Sequence, residues 1–118
     1  MKKLRRILEG LCVVALLTLL AGCFLIPHQV QYDVTGTATI VSISYTDPNV
    51  GGAPPFIPST TLPWTYSFTA QDGASVSLTA TNLFNTGTVT ATISKDGKVW
   101  KTVTTSDPYG QAQVAGTL

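Results

Sequence analysis

The sequence predicts an all-β domain, an antiparallel β-sandwich of about seven strands and immunoglobulin-like size, behind an N-terminal signal helix. Three observations lead there. After Pro27 the chain is rich in Thr, Val, Ser and Gly and contains no Glu. Apolar and polar residues alternate with period two in successive short segments, as on half-buried strands. Turn residues separate those segments at spacings of about ten residues, the rhythm of a sandwich.

The first strand is Val30, Tyr32 and Val34 alternating with Gln31, Asp33 and Thr35, ending near Gly36. Ala38 and Ile40 keep that phase, whereas Val41, Ile43 and Tyr45 take the other. A phase switch of this kind predicts a bulge. Trp64, Tyr66, Phe68 and Ala70 alternate with Thr65, Ser67 and Thr69, the cleanest strand of the chain, with its large rings directed to the core. Gln71-Asp72-Gly73 turns, and Val76, Leu78 and Ala80 follow. Beyond Gly87, Val89, Ala91 and Ile93 alternate with threonines. Lys95-Asp96-Gly97-Lys98 is a hairpin signal, because Asp-Gly tolerates the positive φ angles that match strand twist. Val99–Thr105 returns, Ser106–Gly110 turns, and Gln111–Leu118 closes with Ala112, Val114, Gly116 and Leu118 in one phase. Asp47–Pro63 is an irregular stretch with five prolines and two glycines, read as a Pro-rich loop at 47–63. A connection of that length is usually functional or unstructured. Phe56 and Ile57 at its middle are candidate partner contacts, unless the loop folds back over a sheet edge. Trp100, out of phase with Val99 and Val103, is a third candidate, unless a bulge turns it inward.

The N-terminus carries targeting information. Lys2, Lys3, Arg5 and Arg6 precede an apolar run from Leu11 to Ala21. A basic head before about 7–15 apolar residues has the form of a secretory signal. A membrane span needs about 20 such residues, so an uncleaved anchor over Ile7–Ile26 is the alternative. Leu20-Ala21-Gly22-Cys23 resembles the lipobox of bacterial lipoproteins. Small residues give a peptidase room at the scissile bond, and the Cys thiol is the nucleophile that becomes a thioether to diacylglycerol. The expected organisation is therefore a signal peptide at 1–22, a lipidated tether at 23–29 and the sandwich at 30–118. Cys12 would leave with the signal. Phe24 rather than Asp follows Cys23, so nothing signals inner-membrane retention. The expected location is extracytoplasmic and lipid-anchored, at the cell membrane or an outer membrane.

Removing residues 1–22 leaves three Lys against five Asp, no Arg, and a formal charge of −2. A near-neutral, Arg-free surface argues against nucleic-acid binding, which needs clustered cations along the backbone. The same removal leaves no second Cys for a disulfide, so the core must hold the fold alone. The lone His28 falls in the tether, where a solvated side chain is expected. It lacks partners for a zinc site or a Ser-His-Asp arrangement. The Asp residues occur singly, four beside Pro or Gly at turns, with no calcium-loop spacing. No catalytic residues, metal or cofactor are expected, and the chain is read as a non-enzyme.

Along the domain, Tyr32-x-Val34-x-Gly36-x-Ala38, Ile43-x-Tyr45-Thr46, Leu62-Pro63-Trp64, Val76-x-Leu78-x-Ala80, Ile93-x-x-Asp96-Gly97-Lys98 and Gly116 occur in order. In this the chain resembles the extracytoplasmic domain of the MmpS family of mycobacterial small membrane proteins. The resemblance implies a small β-sandwich and an accessory role beside large lipid and siderophore exporters. The family's usual cysteine pair, around Ala91 and near Val114–Ala115, is missing here, and its usual uncleaved helix is replaced by a lipobox. The expected function is thus a membrane-anchored lipoprotein that binds a protein partner in the envelope, such as a transporter. The alternative is a lipoprotein binding a small apolar ligand or a glycan between its sheets or on its aromatic face.

Overall fold

A computed structural model describes residues 26–118 of the chain. The signal segment 1–22, Cys12 and the lipidation candidate Cys23 lie outside the described residues. Eight strands follow in order: β1 (Pro27–Thr35), β2 (Val41–Tyr45), β3 (Phe56–Thr60), β4 (Trp64–Gln71), β5 (Ser75–Asn82), β6 (Val89–Lys95), β7 (Lys98–Thr105) and β8 (Gln111–Thr117). They form two four-stranded sheets, ordered β4-β1-β6-β7 and β3-β2-β5-β8, with every strand pair antiparallel. The all-β sandwich read from the alternation is the observed architecture, with one strand more than expected.

The extra strand is β3, which occupies the middle of the stretch read as a Pro-rich loop. It pairs with β2 at the edge of its sheet, where Pro58 falls at the register shift between the Ile43–Ile57 and Val41–Thr60 pairs, a place that tolerates a missing N–H. A second correction concerns the phase switch at Ile40–Val41. It marks a change of sheet, not a bulge in one strand: β1 ends at Thr35 in the first sheet and β2 begins at Val41 in the second. Gly36 makes this corner possible. Its φ is +134°, and a Cβ there would lie 2.1 Å from the Thr88 carbonyl oxygen. A third correction is the start of β1. Pro27 already pairs with Gln71, so residues 27–29 belong to the sheet and not to a tether.

The core lies between the sheets and is built from the inward phase of each strand. Tyr32, Val34, Val41, Ile43, Leu78, Ala80, Ala91, Ile93 and Ala112 are fully buried. The sheet backbones approach each other along β6 and β7, facing β5 and β8. On the opposite flank, large rings fill the space. Tyr45 packs at a tilt 5.3 Å from Trp64 and 4.6 Å from Tyr66, and Tyr32 meets Phe68 edge-on at 5.0 Å. Ala91 and Val114, at the places of the resembled family's cysteines, come from opposite sheets and are both buried. Packing stands there in place of a crosslink.

The inside–outside assignment has a direct energetic consequence. Leu78→Ala removes a fully buried side chain and is expected to cost about 2–5 kcal/mol. Gln113→Ala on the exposed phase of β8 is expected to stay within about 0.5 kcal/mol of the parent. Urea unfolding of the two variants measures the contrast, and equal losses would contradict the placement of the core.

Candidate functional site

The strand ends divide the domain into two poles. One pole holds the start of β1, the β4–β5 turn, the β6–β7 turn and the end of β8. The other holds the segments 36–40, 61–63, 83–88 and 106–110. The chain enters at the first pole directly after its apolar N-terminal run.

At that pole His28 stands between two turns. Its Nδ1 is 2.7 Å from Asp96 Oδ2 and its Nε2 is 3.2 Å from Asp72 Oδ1. The His28 side chain is only 15% exposed. The backbone completes the clamp. The Asp96 N–H donates to the Gln29 carbonyl, the Gln29 N–H donates to Asp96 Oδ1, and the Asp72 N–H donates to the Ile26 carbonyl. His28 is therefore a strand residue with two acidic partners, not the solvated tether residue expected. Sequence spacing gave no hint of this, because its partners lie 44 and 68 residues away. The hydrogen bond that His28 donates to Asp96 raises the His28 pKa above its ordinary 6.5, against some desolvation and with a smaller contribution from Asp72. His28 in turn lowers the Asp96 pKa. The two carboxylates lie at opposite edges of the imidazole ring and cannot converge on one ion. Among the described residues no group of three His, Cys, Asp or Glu side chains is arranged to hold a metal.

Asp47 is the second polar feature that residue order concealed. It was read as a turn residue before Pro48, and it does accept the Asn49 N–H at 2.9 Å. It is also buried, and Tyr66 OH donates to its Oδ2 at 2.5 Å. The hydrogen bond to Asp47 is the chief cause that pushes the Tyr66 pKa up to about 12. Asn49 Nδ2 adds a bond to the Thr69 carbonyl at 2.7 Å. The start of the Pro-rich stretch is thereby fastened to β4.

The three candidate contacts separate. Phe56 pairs with Ser44 on the outward phase of β3 and is 62% exposed. Ile57 pairs with Ile43 on the inward phase and packs on the core. Trp100 sits at a bulge: β7 residues Val99 and Lys101 pair with Ser94 and Ile93, leaving Trp100 between them. In such a bulge two consecutive side chains share one side. Trp100 turns inward, half-buried, and covers Gly116, whose added Cβ would lie 2.5 Å from the ring. Phe56 and Trp100 stand on edge strands at opposite flanks, so they do not form one surface. At the far pole Leu83, Phe84 and Tyr109 are exposed, and the Tyr109 N–H donates to the Phe84 carbonyl. They had no alternation to mark them.

The His28 clamp predicts a pH dependence of stability. A raised folded-state pKa means the His28 contribution is fully present below about pH 6.5 and is lost as pH rises through the higher folded value. The lowered Asp96 pKa contributes above its unfolded value and is lost as pH falls through the folded one. The thermal-midpoint difference between the parent and His28→Asn is expected to be largest near about pH 5–6 and to shrink by about pH 8.5. A difference independent of pH across that range would exclude the ionic clamp.

Comparison with the curated proteins returned no match. The family model described as Mycobacterium membrane protein matches residues 20–115, from the end of the N-terminal apolar run through nearly all of β8. The chain therefore belongs to the Mycobacterium membrane protein family and is a membrane-associated protein, in agreement with its MmpS-like pattern.

Proposed function

We propose that this protein is a non-catalytic lipoprotein of the cell envelope, anchored through an acylated Cys23 on the extracytoplasmic side, and that its sandwich engages a protein partner such as a transporter. The observation that carries the partner reading is Phe56. A large ring held outward on an edge strand, between Pro55 and Pro58, exposes apolar area without a core role. Aromatic residues of this kind dominate interface energies. Edge backbone groups beside it are open to pairing with a further strand. The unbroken aromatic packing weighs against a ligand between the sheets. Tyr45 and Tyr32 occupy the space behind Trp64, Tyr66 and Phe68 where an apolar molecule would lie. The solitary His28 is engaged by two carboxylates, which supports a non-enzymatic reading.

The anchor rests on Leu20-Ala21-Gly22-Cys23 at the end of an apolar run with a basic head. Two or more acyl chains hold a protein at a bilayer stably, whereas one is marginal. Cys23→Ser is expected to accumulate a longer precursor that takes up no fatty-acid label. Processing of that variant to the parental size would remove the lipoprotein reading, and an equal size for both unprocessed forms would favour the uncleaved anchor.

A photo-reactive residue at position 56 tests the partner surface in native membranes. A discrete protein adduct is expected from position 56 and none from position 113 on the exposed phase of β8. Equal labelling from both positions would show that β3 has no special role.

A further inference from the structure

Every Lys of the domain lies on one hairpin. Between residues 26 and 118 the cationic side chains other than His28 are Lys95, Lys98 and Lys101, all within the end of β6, the β6–β7 turn and the start of β7. This hairpin is at the pole where the chain enters, and it is bonded there. Lys95 pairs with Val30, and the Asp96 and Gln29 backbones exchange hydrogen bonds with each other's residue. The turn is a tight one, with φ +52° at Asp96 and +81° at Gly97, so the tip projects as a short rigid unit. Trp100 gathers two of the cations: Lys95 Nζ is 5.4 Å and Lys101 Nζ 5.1 Å from its ring centre. Trp100 itself is fixed over Gly116. Beside it Val99 is 68% exposed, and Ile26 at the chain entry is 50% exposed.

The carboxylates are disposed differently. Asp72 and Asp96, which share this pole, both face His28. Asp47 is buried against Tyr66. Asp33 is on the outer face of β1, where it accepts from Thr65 and Gln31, and Asp107 is at the far pole. The three lysines therefore lack carboxylate partners among the described residues, while the acids close to them are engaged elsewhere.

We propose that the β6–β7 hairpin is a docking surface for the anionic phospholipid headgroups of the membrane that carries the chain. This rests on the reading that the N-terminal apolar segment or its lipidated Cys23 holds the chain to that membrane. Two residues lie between Cys23 and Ile26, and the three chain steps reach at most about 11 Å. The hairpin tip is bonded to the strand that begins at the next residue. The register places Lys95 and Lys98 level with Val30 and Lys101 level with Tyr32, three and five residues along β1 from Pro27, so a domain tilted hairpin-down brings the ammonium groups toward the headgroup layer, whose field acts over about one screening length, roughly 8 Å at physiological salt. Each basic residue near an anionic surface gains about 1 kcal/mol, close to fivefold in partitioning. Three of them favour the hairpin-down orientation by about a hundredfold. Val99 and Ile26 add an apolar edge to the contact, and a Trp beside lysines suits the membrane–water interface.

Hydrogen exchange of the full chain in vesicles tests this. The chain is incorporated into vesicles of phosphatidylcholine alone or with phosphatidylglycerol, and flotation establishes membrane association first. Peptides covering residues 95–101 are expected to exchange at least about threefold more slowly on the anionic vesicles. The slowing is expected to vanish in about 1 M salt, where screening shortens to about 3 Å, and in the Lys95→Gln, Lys98→Gln, Lys101→Gln variant. Unchanged exchange in β5 and β8 of that variant verifies its fold. A chain that floats with both vesicles yet shows the same exchange at 95–101 in each overturns the hairpin contact and leaves the anchor standing. Slowing that persists in the triple variant also overturns it. A chain that floats with neither refutes the anchor and the contact together.

Discussion

Tyr32 crosses the sandwich, and the rest of the domain is arranged around that crossing. It stands on β1, an inner strand of the first sheet, and is completely buried. Its hydroxyl donates to the Thr46 carbonyl at 2.6 Å, just past the end of β2 in the second sheet. Burial raises its pKa, so the proton that makes this bond stays in place. The Thr46 side chain in turn accepts the Ser77 N–H at 2.8 Å, which carries the link on to β5. A ring at this position sets the sheet separation on its flank. Phe68 and Tyr45 meet it edge-on, and Trp64 and Tyr66 extend the cluster outward. With no cysteine between residues 26 and 118, nothing covalent shares this task. A small domain's disulfide is commonly worth about 2–5 kcal/mol, and here that contribution must come from ring packing and from fully satisfied polar groups. No buried side-chain polar atom among the described residues is left without a partner.

How much of this was readable in the sequence follows from which forces are local. Strands with a strict period of two were legible, because a sheet face that packs on a core imposes that period directly. Trp64 to Ala70 and Ala112 to Leu118 show it. The Asp96-Gly97 turn was legible because positive φ at both residues is a local backbone property. β3 was not legible, since an edge strand needs only one good partner and accepts a proline within it. The passage from β1 to β2 was misread because a phase switch inside one strand and a change of sheet leave the same apolar pattern. What separates them is the corner at Gly36, whose need for a bare Cα comes from Thr88, 52 residues further on. Trp100 depended on a bulge that only the pairing with β6 defines. His28 and Asp47 were the furthest from reach: His28 was read as a solvated tether residue and Asp47 only as an aspartate at a turn. Their partners are set by topology alone.

The same topology separates the polar chemistry of the surface into regions. The outer face of the first sheet is a field of hydroxyls and amides, with Thr90 bonded to Thr104, Thr92 to Thr102, and Thr65 and Gln31 to Asp33. Cross-strand threonine pairs stabilise a sheet modestly and bring no charge. Phe56 faces outward from the edge of the other sheet. The far pole presents Leu83, Phe84 and Tyr109 on two loops: the buried Asn82 side chain braces the first by donating to the Thr86 carbonyl and accepting the Phe84 N–H, and the Asn82 and Tyr109 N–H groups join the two by donating to the Gly110 and Phe84 carbonyls. A domain with few charges gains little solubility from net charge, so hydroxyl-rich faces keep it hydrated while its apolar side chains stay confined to edges and tips.

On the proposed anchoring, charge placement would decide how such a domain stands at a membrane. A formal charge of −2 on residues 23–118 would by itself push the domain away from an anionic bilayer. Net charge describes only the distant field, however, and the relevant distances here are short. Within about a screening length the surface responds to the nearest groups, and at the entry pole those are three lysines and a histidine whose two carboxylate partners are turned onto it. Attraction at one pole and repulsion over the remainder act in the same rotational sense. A tether of the proposed kind would restrict the domain to the interface but leave it free to tumble; the asymmetric charge would remove that freedom. Under the proposed anchoring, the edge strand with Phe56 and the loops of the far pole would then be held away from the lipid, in the positions from which they would meet the proposed envelope partner.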